Sequence, residues 1–288
     1  MKWLSNIANQ LLPDQLISPE SQRLFSHALY AWLLLYALHT IPLMDVIYGD
    51  QSVMMPRVPR QSGVLGNILY SLNYERSRGF IVLGIHALAC ALAMFQKGGL
   101  PVRFLVFFTG WMLYYGCIPS FNGAYLLALS FSAFAMAMVP TSRKPLQIDL
   151  SNLGFLAVRL QLILVYFISA FYKLQGEAWL DGTALYQTLQ IDAFSNPRLS
   201  SMLLGSVGLL KFMTIASLAY QTLFPILVWI KKIKGPFLAI GVIFHLGIGL
   251  TLNLWDFATI MLIGYIAFIN APITWILNRI PAFRKAPR

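Results

Sequence analysis

Three residues with reactive or charged ends stand seven apart in one apolar run, Arg159-Leu-Gln-Leu-Ile-Leu-Val-Tyr166-Phe-Ile-Ser-Ala-Phe-Tyr-Lys173. At about 100° per helical residue they share a face within roughly 40°, and charges inside apolar helices are costly enough to mark functional positions. An amine buried against apolar walls loses proton affinity and can act as a base near neutral pH, which makes Lys173 a candidate catalytic residue. A lysine at the end of such a run can instead snorkel to lipid headgroups, and by spacing alone that is the commoner arrangement.

A second pattern is Gly241, His245, Gly249 and Asn253, one every four residues. Small residues at this spacing let another helix approach closely, so His245 is predicted to face protein. A buried histidine can carry protons, hold a ligand or simply pack, and packing is the usual case. His27, His39 and His86 are single histidines in apolar runs and read as structural. No two histidines form an i, i+4 pair and neither cysteine is read as joining one, so no dedicated metal site is expected. Glu177, Trp179, Asp181 and Asp256 join the candidates because they cluster with other acidic and aromatic residues at the ends of apolar runs. For each ring, an interfacial aromatic belt is the alternative.

The elements that must carry these groups are membrane helices. Of the 288 residues, 58% are hydrophobic and only 11% charged, against about 25% charged in a soluble domain. Uncharged runs of about 20 residues match a hydrocarbon core ~30 Å thick. The pattern predicts an all-α polytopic bundle of about eight transmembrane helices (range seven to nine) with no separate soluble domain. The predicted spans are 24–47, 79–95, 104–119, 122–139, 153–173, 207–230, 236–252 and 256–277. The turn Pro119-Ser-Phe-Asn122-Gly123 splits one apolar stretch in two, and Leu252-Asn253-Leu-Trp-Asp256 splits another less clearly. Residues 1–20 read as an interfacial or cytoplasmic segment without a cleavable signal, and 278–288 as a basic tail. Cys90 and Cys117 supply no disulfide framework.

Orientation follows from basic residues. Lys2, Arg23, Lys97, Arg103, Arg143, Lys144, Lys231, Lys232, Lys234, Arg279, Arg284, Lys285 and Arg288 make 13 on one side; Arg57, Arg60, Arg76, Arg78 and Arg198 make 5 on the other. The richer face is predicted to be cytoplasmic and to hold both termini, in a plasma membrane. The two long connections, 48–78 and 174–206, are then extracytoplasmic, and with the outer helix ends they carry most of the acidic groups. Positive-inside bias and anionic lipid account for the net charge of +11; no nucleic-acid-reading motif is present.

The stretch Val165-Tyr-Phe-Ile-Ser-Ala-Phe-Tyr-Lys173-Leu, followed by Glu177-Ala-Trp179-Leu-Asp181-Gly182-Thr183-Ala-Leu-Tyr186, resembles the central segment of vitamin K-dependent gamma-carboxylase. Phe244-His245-Leu-Gly-Ile-Gly-Leu, running to Phe257 and Met261, is similar to that superfamily's histidine-bearing penultimate helix. The Asn122-Gly123-Ala-Tyr125 turn and Ser21-Gln-Arg23-Leu-Phe25 also fit, so the likeness to the horizontally transferred transmembrane (HTTM) domain covers nearly the whole chain. Within it, Glu177-Ala-Trp179-Leu-Asp-Gly182-Thr183-Ala-Leu-Tyr186 is similar to the signature of a bacterial branch that matures the sporulation-delaying peptide toxin, with one residue's difference in spacing. The likeness does not extend to the carboxylase's large lumenal region.

What the resemblance implies is modification or maturation of an exported, toxin-like peptide on the outer face, with a small secreted peptide precursor as partner. It implies Lys173 as the base that deprotonates a reduced, vitamin K-like quinone, with His245 as a second catalytic residue. Arg159, Tyr166, Asn122 and Asn253 are carried as binding candidates beside the acidic and aromatic ones. A non-catalytic partner for export of, or immunity to, such a peptide is the other expectation.

Overall fold

The computed structural model describes residues 18–47, 64, 76–115, 123–139, 144–191 and 195–269, and every regular element among them is helical. Apolar surroundings offer no partner for backbone N–H and C=O groups, so a chain this apolar must satisfy them within each segment. In order, the helices are α1 (Pro19–Thr40), α2 (Met44–Ile47), α3 (Arg76–Met94), α4 (Gly99–Tyr115), α5 (Ala124–Met136), α6 (Pro145–Lys173), α7 (Glu177–Leu180), α8 (Ala184–Leu189), α9 (Pro197–Leu204), α10 (Val207–Leu227), α11 (Lys231–Leu252) and α12 (Trp255–Tyr265). A 3₁₀ turn, Ile41–Leu43, links α1 to α2, and another, Ile266–Phe268, follows α12. Proline opens α1, α6 and α9, where its missing N–H costs the first turn nothing.

Among the described residues, four helical stretches are long and apolar enough to cross a membrane: Pro19–Leu43, Pro145–Lys173, Val207–Leu227 and Lys231–Leu252. Even the 21 residues of α10, at about 1.5 Å each, reach the ~30 Å of a hydrocarbon core. Shorter apolar helices occupy Gly79–Met94, Gly99–Tyr114, Ala124–Met136 and Trp255–Phe268. Large apolar side chains such as Ile243, Phe212 and Phe171 lie exposed while Gln22, His86 and Arg159 are buried, the distribution expected where lipid replaces water.

Several boundaries differ from the apolar runs. α6 begins at Pro145 instead of 153, and α11 at Lys231 instead of 236. Their first turns carry Gln147, Asp149 and Asn152, or Lys231, Lys232 and Lys234; polar side chains do not prevent a helix from forming, so hydropathy ends before the backbone does. The less clear split proves sharp: Asn253 adopts a left-handed conformation, φ 55°, between α11 and α12. Gly123, φ 75°, starts α5, a conformation that glycine reaches without steric cost. The connection 174–206 is largely helical, folding into α7, α8 and α9. Residues 1–17, 48–63, 116–122 and 270–288, including Asn122 and Cys117, lie outside the described residues.

The chain divides into two units, residues 1–157 with 269–288 and residues 158–268, the division falling within α6. In the first, α1 packs on α3 and α5, and α4 on α3 and α5. Phe25 meets Phe131 and Phe155 edge-on, with centroids 5.6 and 6.2 Å apart. Arg103 donates to the carbonyl of Met138, just past the end of α5, where helical carbonyls lack partners. In the second unit, α7, α8, α9 and α11 pack on α10, and α12 packs on α11. The Asn196 carbonyl group of the side chain accepts from the Arg198 amide at 3.2 Å and caps α9.

Candidate functional site

The second unit gathers most of the predicted residues around two polar clusters. The first sits at the C-terminal end of α6. There the Lys173 ammonium donates to Gln221 Oε1 at 2.8 Å, and the Ser169 hydroxyl donates to the same oxygen at 3.0 Å. Lys173 Nζ also stands 4.4 Å from the centroid of the Trp179 ring, a cation over an aromatic face. Ser169 and Lys173 are four apart, one helical turn, so α6 presents both to Gln221 on α10. A lysine ammonium can only donate, so the amide atom facing it must be the oxygen. That fixes the orientation of Gln221.

The segment after α6 turns sharply to bring Trp179 back. Asp181 Oδ1 accepts from the Thr183 amide at 2.8 Å and from its hydroxyl at 2.7 Å. These two bonds hold the exposed Asp181 carboxyl below its ordinary range. Gly182 between them has φ 85°, and the Lys211 side chain lies against it so closely that a Cβ there would stand 2.5 Å from Lys211 Cγ. Trp-x-x-Gly thus has a local physical reason: the ring covers Lys173 and the glycine lets the chain turn under Lys211. Glu177 is exposed at the start of α7.

The second cluster lies deeper along the same helix. The Tyr166 hydroxyl meets His245 Nε2 at 2.5 Å and also meets the Tyr265 hydroxyl, which in turn meets the Tyr220 hydroxyl at 2.9 Å. Four helices, α6, α10, α11 and α12, contribute one residue each. Tyr166 stacks on Phe224 with centroids 4.0 Å apart, and Tyr220 on Phe237 at 4.7 Å. Gly241 makes the junction possible, because a Cβ there would collide with the Tyr220 and Tyr265 hydroxyls. If Tyr166 donates to His245, Tyr265 to Tyr166 and Tyr220 to Tyr265, every phenolic proton is used and the imidazole proton sits on Nδ1. His245 Nδ1 is buried and has no hydrogen-bond partner among the described residues.

The seven-residue spacing puts Arg159, Tyr166 and Lys173 on one face but not in one site. At about 1.5 Å per residue they stand roughly 10 Å apart in successive steps along α6. Arg159 is buried and donates from Nε to the carbonyl of Ala267 at 2.6 Å, which ties α6 to the turn after α12. Gly241, His245 and Gly249 are all buried on α11, whereas Asn253 is exposed and ends the helix. Asp256 opens α12 and accepts from the Phe257 amide at 2.8 Å, a carboxylate placed at the positive end of a helix.

Gln221, Ser169, Tyr220 and Tyr265 complete the two clusters and were not singled out from the sequence. The available sign was Tyr220-Gln221, an amide and a phenol in an otherwise apolar helix; buried polar groups need partners, but no spacing rule names a partner on another helix. In the first unit His86 and Cys90, one turn apart on α3, do meet: Cys90 Sγ lies 3.5 Å from His86 Nε2. This i, i+4 pair corrects the expectation that neither cysteine joins one. Among the described residues no group of three or more His, Cys, Asp or Glu could hold a metal.

No protein-family description, curated protein or solved structure matches this chain. The functional reading therefore rests on its residues.

Proposed function

We propose that this chain is a plasma-membrane protein of the gamma-carboxylase-like HTTM type that crosses the bilayer eight times with both termini cytoplasmic. In this reading it modifies or matures an exported, toxin-like peptide at its outer face, with Lys173 as the base. The observation that carries the reading is the placement of Lys173. Its amine closes the end of α6, against Gln221 and the Trp179 ring, inside the segment that bears the resemblance. Support for eight spans comes from eight apolar helices, four long enough to cross a membrane and four shorter, which overlap the eight apolar runs.

In its neutral form Lys173 would take a proton from an acidic group delivered beside Trp179. Gln221 would orient the amine, and the apolar residues around α6 would keep water away. The resemblance implies a reduced quinone, and the donor set fits one: an amine and an amide flank an aromatic face, suiting a flat ring that carries hydroxyl oxygens. When bound, such a cofactor would supply an acidic O–H and reducing equivalents.

One observation favours a second reading, a non-catalytic partner in export or immunity. The Lys173 ammonium is already matched by an amide oxygen and a ring face, and both contacts suit a cation that anchors a bound peptide. Mass spectrometry of a candidate exported peptide, made with and without the protein, separates the readings. A mass change that requires the protein supports catalysis; an unmodified peptide whose export or toxicity alone changes supports the second reading. Topology is tested by reporter fusions. Those after Asn67 and Asn196 should report outside, and those after Lys144 and Lys234 inside.

A further inference from the structure

We infer that Gln221 is the positioning residue for Lys173, and that its amide oxygen, locked by Ser169, controls when the amine is free to react. The inference rests on the reading of Lys173 as the working group. Three observations carry it. Gln221 Oε1 takes hydrogen bonds from both Lys173 and Ser169, so one atom fixes the position of the amine and is itself fixed. Gln221 is buried on α10, so its amide has no water to turn toward. Lys173 has no carboxylate partner among the described residues: its contacts are Gln221 and the Trp179 face.

Titratable groups on the elements that follow α6 include Glu177 on α7, Asp181 after it, Lys211 on α10, His245 on α11 and Asp256 on α12. His245 and Lys173 are near enough to act on each other electrostatically. None of these groups can replace the amide, because none forms an ion pair with the lysine. Among the described residues the amide oxygen is the one hydrogen-bond acceptor that stabilises the ammonium over the free amine. While it is engaged, the cationic form of Lys173 is favoured. A substrate that displaces Lys173 from it with its own donor would remove that preference, so that the half-exposed ammonium gives its proton to solvent as the substrate arrives and the neutral amine is left to accept one from the substrate.

The test reads the amine directly and needs no peptide. The full-length protein in lipid nanodiscs is pulsed with an N-hydroxysuccinimide acetate ester near neutral pH, and acetylation of Lys173 is followed by mass spectrometry. The exposed Lys232 serves as the internal reference. Only an unprotonated amine reacts. Gln221→Met keeps the volume and removes the acceptor, so Lys173 should react about tenfold faster than in the parent, the size of one charge-assisted hydrogen bond. Gln221→Glu replaces the amide by a stronger acceptor and should slow it by a similar factor, while Lys232 is unaffected in both. Opposite signs distinguish control of charge from simple opening of the site, which would speed both variants. Unchanged Lys173 rates in Gln221→Met, or faster rates in both variants, overturn the assignment. If the Glu variant does not fold, the pH dependence of Lys173 acetylation in the Met variant decides: a midpoint moved to lower pH than in the parent supports control of charge, and an unmoved midpoint overturns the assignment. Because labelling reports no product, an altered rate with an unmodified peptide would sink the catalytic reading and leave Gln221's role standing.

Discussion

The two units of this protein each bury a histidine, and they treat it differently. In the first unit His86 belongs to a chain that closes. The Thr109 hydroxyl donates to the Leu105 carbonyl at 2.7 Å, so the 2.8 Å contact between His86 Nδ1 and Thr109 must be donated by the ring, leaving Nε2 to face Cys90. Every proton then ends on an acceptor, and the run terminates on a backbone carbonyl between adjacent helices α3 and α4. In the second unit His245 heads a chain of three phenols from three other helices, and its other nitrogen has no partner among the described residues. A closed chain is glue: its members are satisfied and a ligand could only compete with them. An open chain has capacity left over, which is what a binding or catalytic site needs.

The largest effect that would break this contrast concerns Lys173. Lys173→Ala and Lys173→Arg should both abolish peptide modification while leaving membrane insertion and melting temperature near those of the parent. A guanidinium keeps its proton and cannot act as a base. A fully active Lys173→Arg protein removes the base assignment and puts the binding reading first.

Next come the glycines that set the second cluster. A Cβ on Gly249 would stand 2.7, 2.9 and 3.0 Å from Trp255 ring carbons, so Gly249→Leu should overpack α11 and cost about 1–3 kcal/mol. The readout is folded yield and melting temperature in detergent. An unchanged protein would mean that this face of α11 looks at lipid, against the contacts described here.

A paired comparison tests the closed and open chains against each other. Tyr166→Phe removes the hydroxyl shared by His245 and Tyr265 and strands polar atoms on two helices, at about 1–3 kcal/mol. Thr109→Val removes one acceptor in the first unit and should cost about 1 kcal/mol. Peptide modification should fall in the first variant and persist in the second. Equal losses in both would show that the open chain is packing like the other.

The smallest expected change is at Asn253. Its left-handed conformation, φ 55°, is one that glycine adopts with less strain, so Asn253→Gly should leave function intact and raise stability by up to about 1 kcal/mol. A loss of function would return the Asn253 side chain to the site.

Much was legible before any coordinates. Long apolar runs with few charges specify membrane helices, because the cost of unsatisfied backbone groups in lipid leaves no other local structure. Seven-residue spacing put Arg159, Tyr166 and Lys173 on one face of α6, and four-residue spacing grouped Gly241, His245 and Gly249; both are consequences of helical geometry that one segment carries alone. Helix ends were less legible, since Pro145 and Lys231 begin helices in polar sequence. The partners were not legible at all. That Gln221 holds Lys173, that Tyr265 and Tyr220 extend from Tyr166, and that Arg159 bonds a backbone carbonyl at residue 267 depend on how separate helices pack. Periodicity fixes which side of a helix is polar, whereas depth and rotation against a neighbour are set by the fit of side chains such as Phe224 and Gly241, which no pattern within one helix encodes.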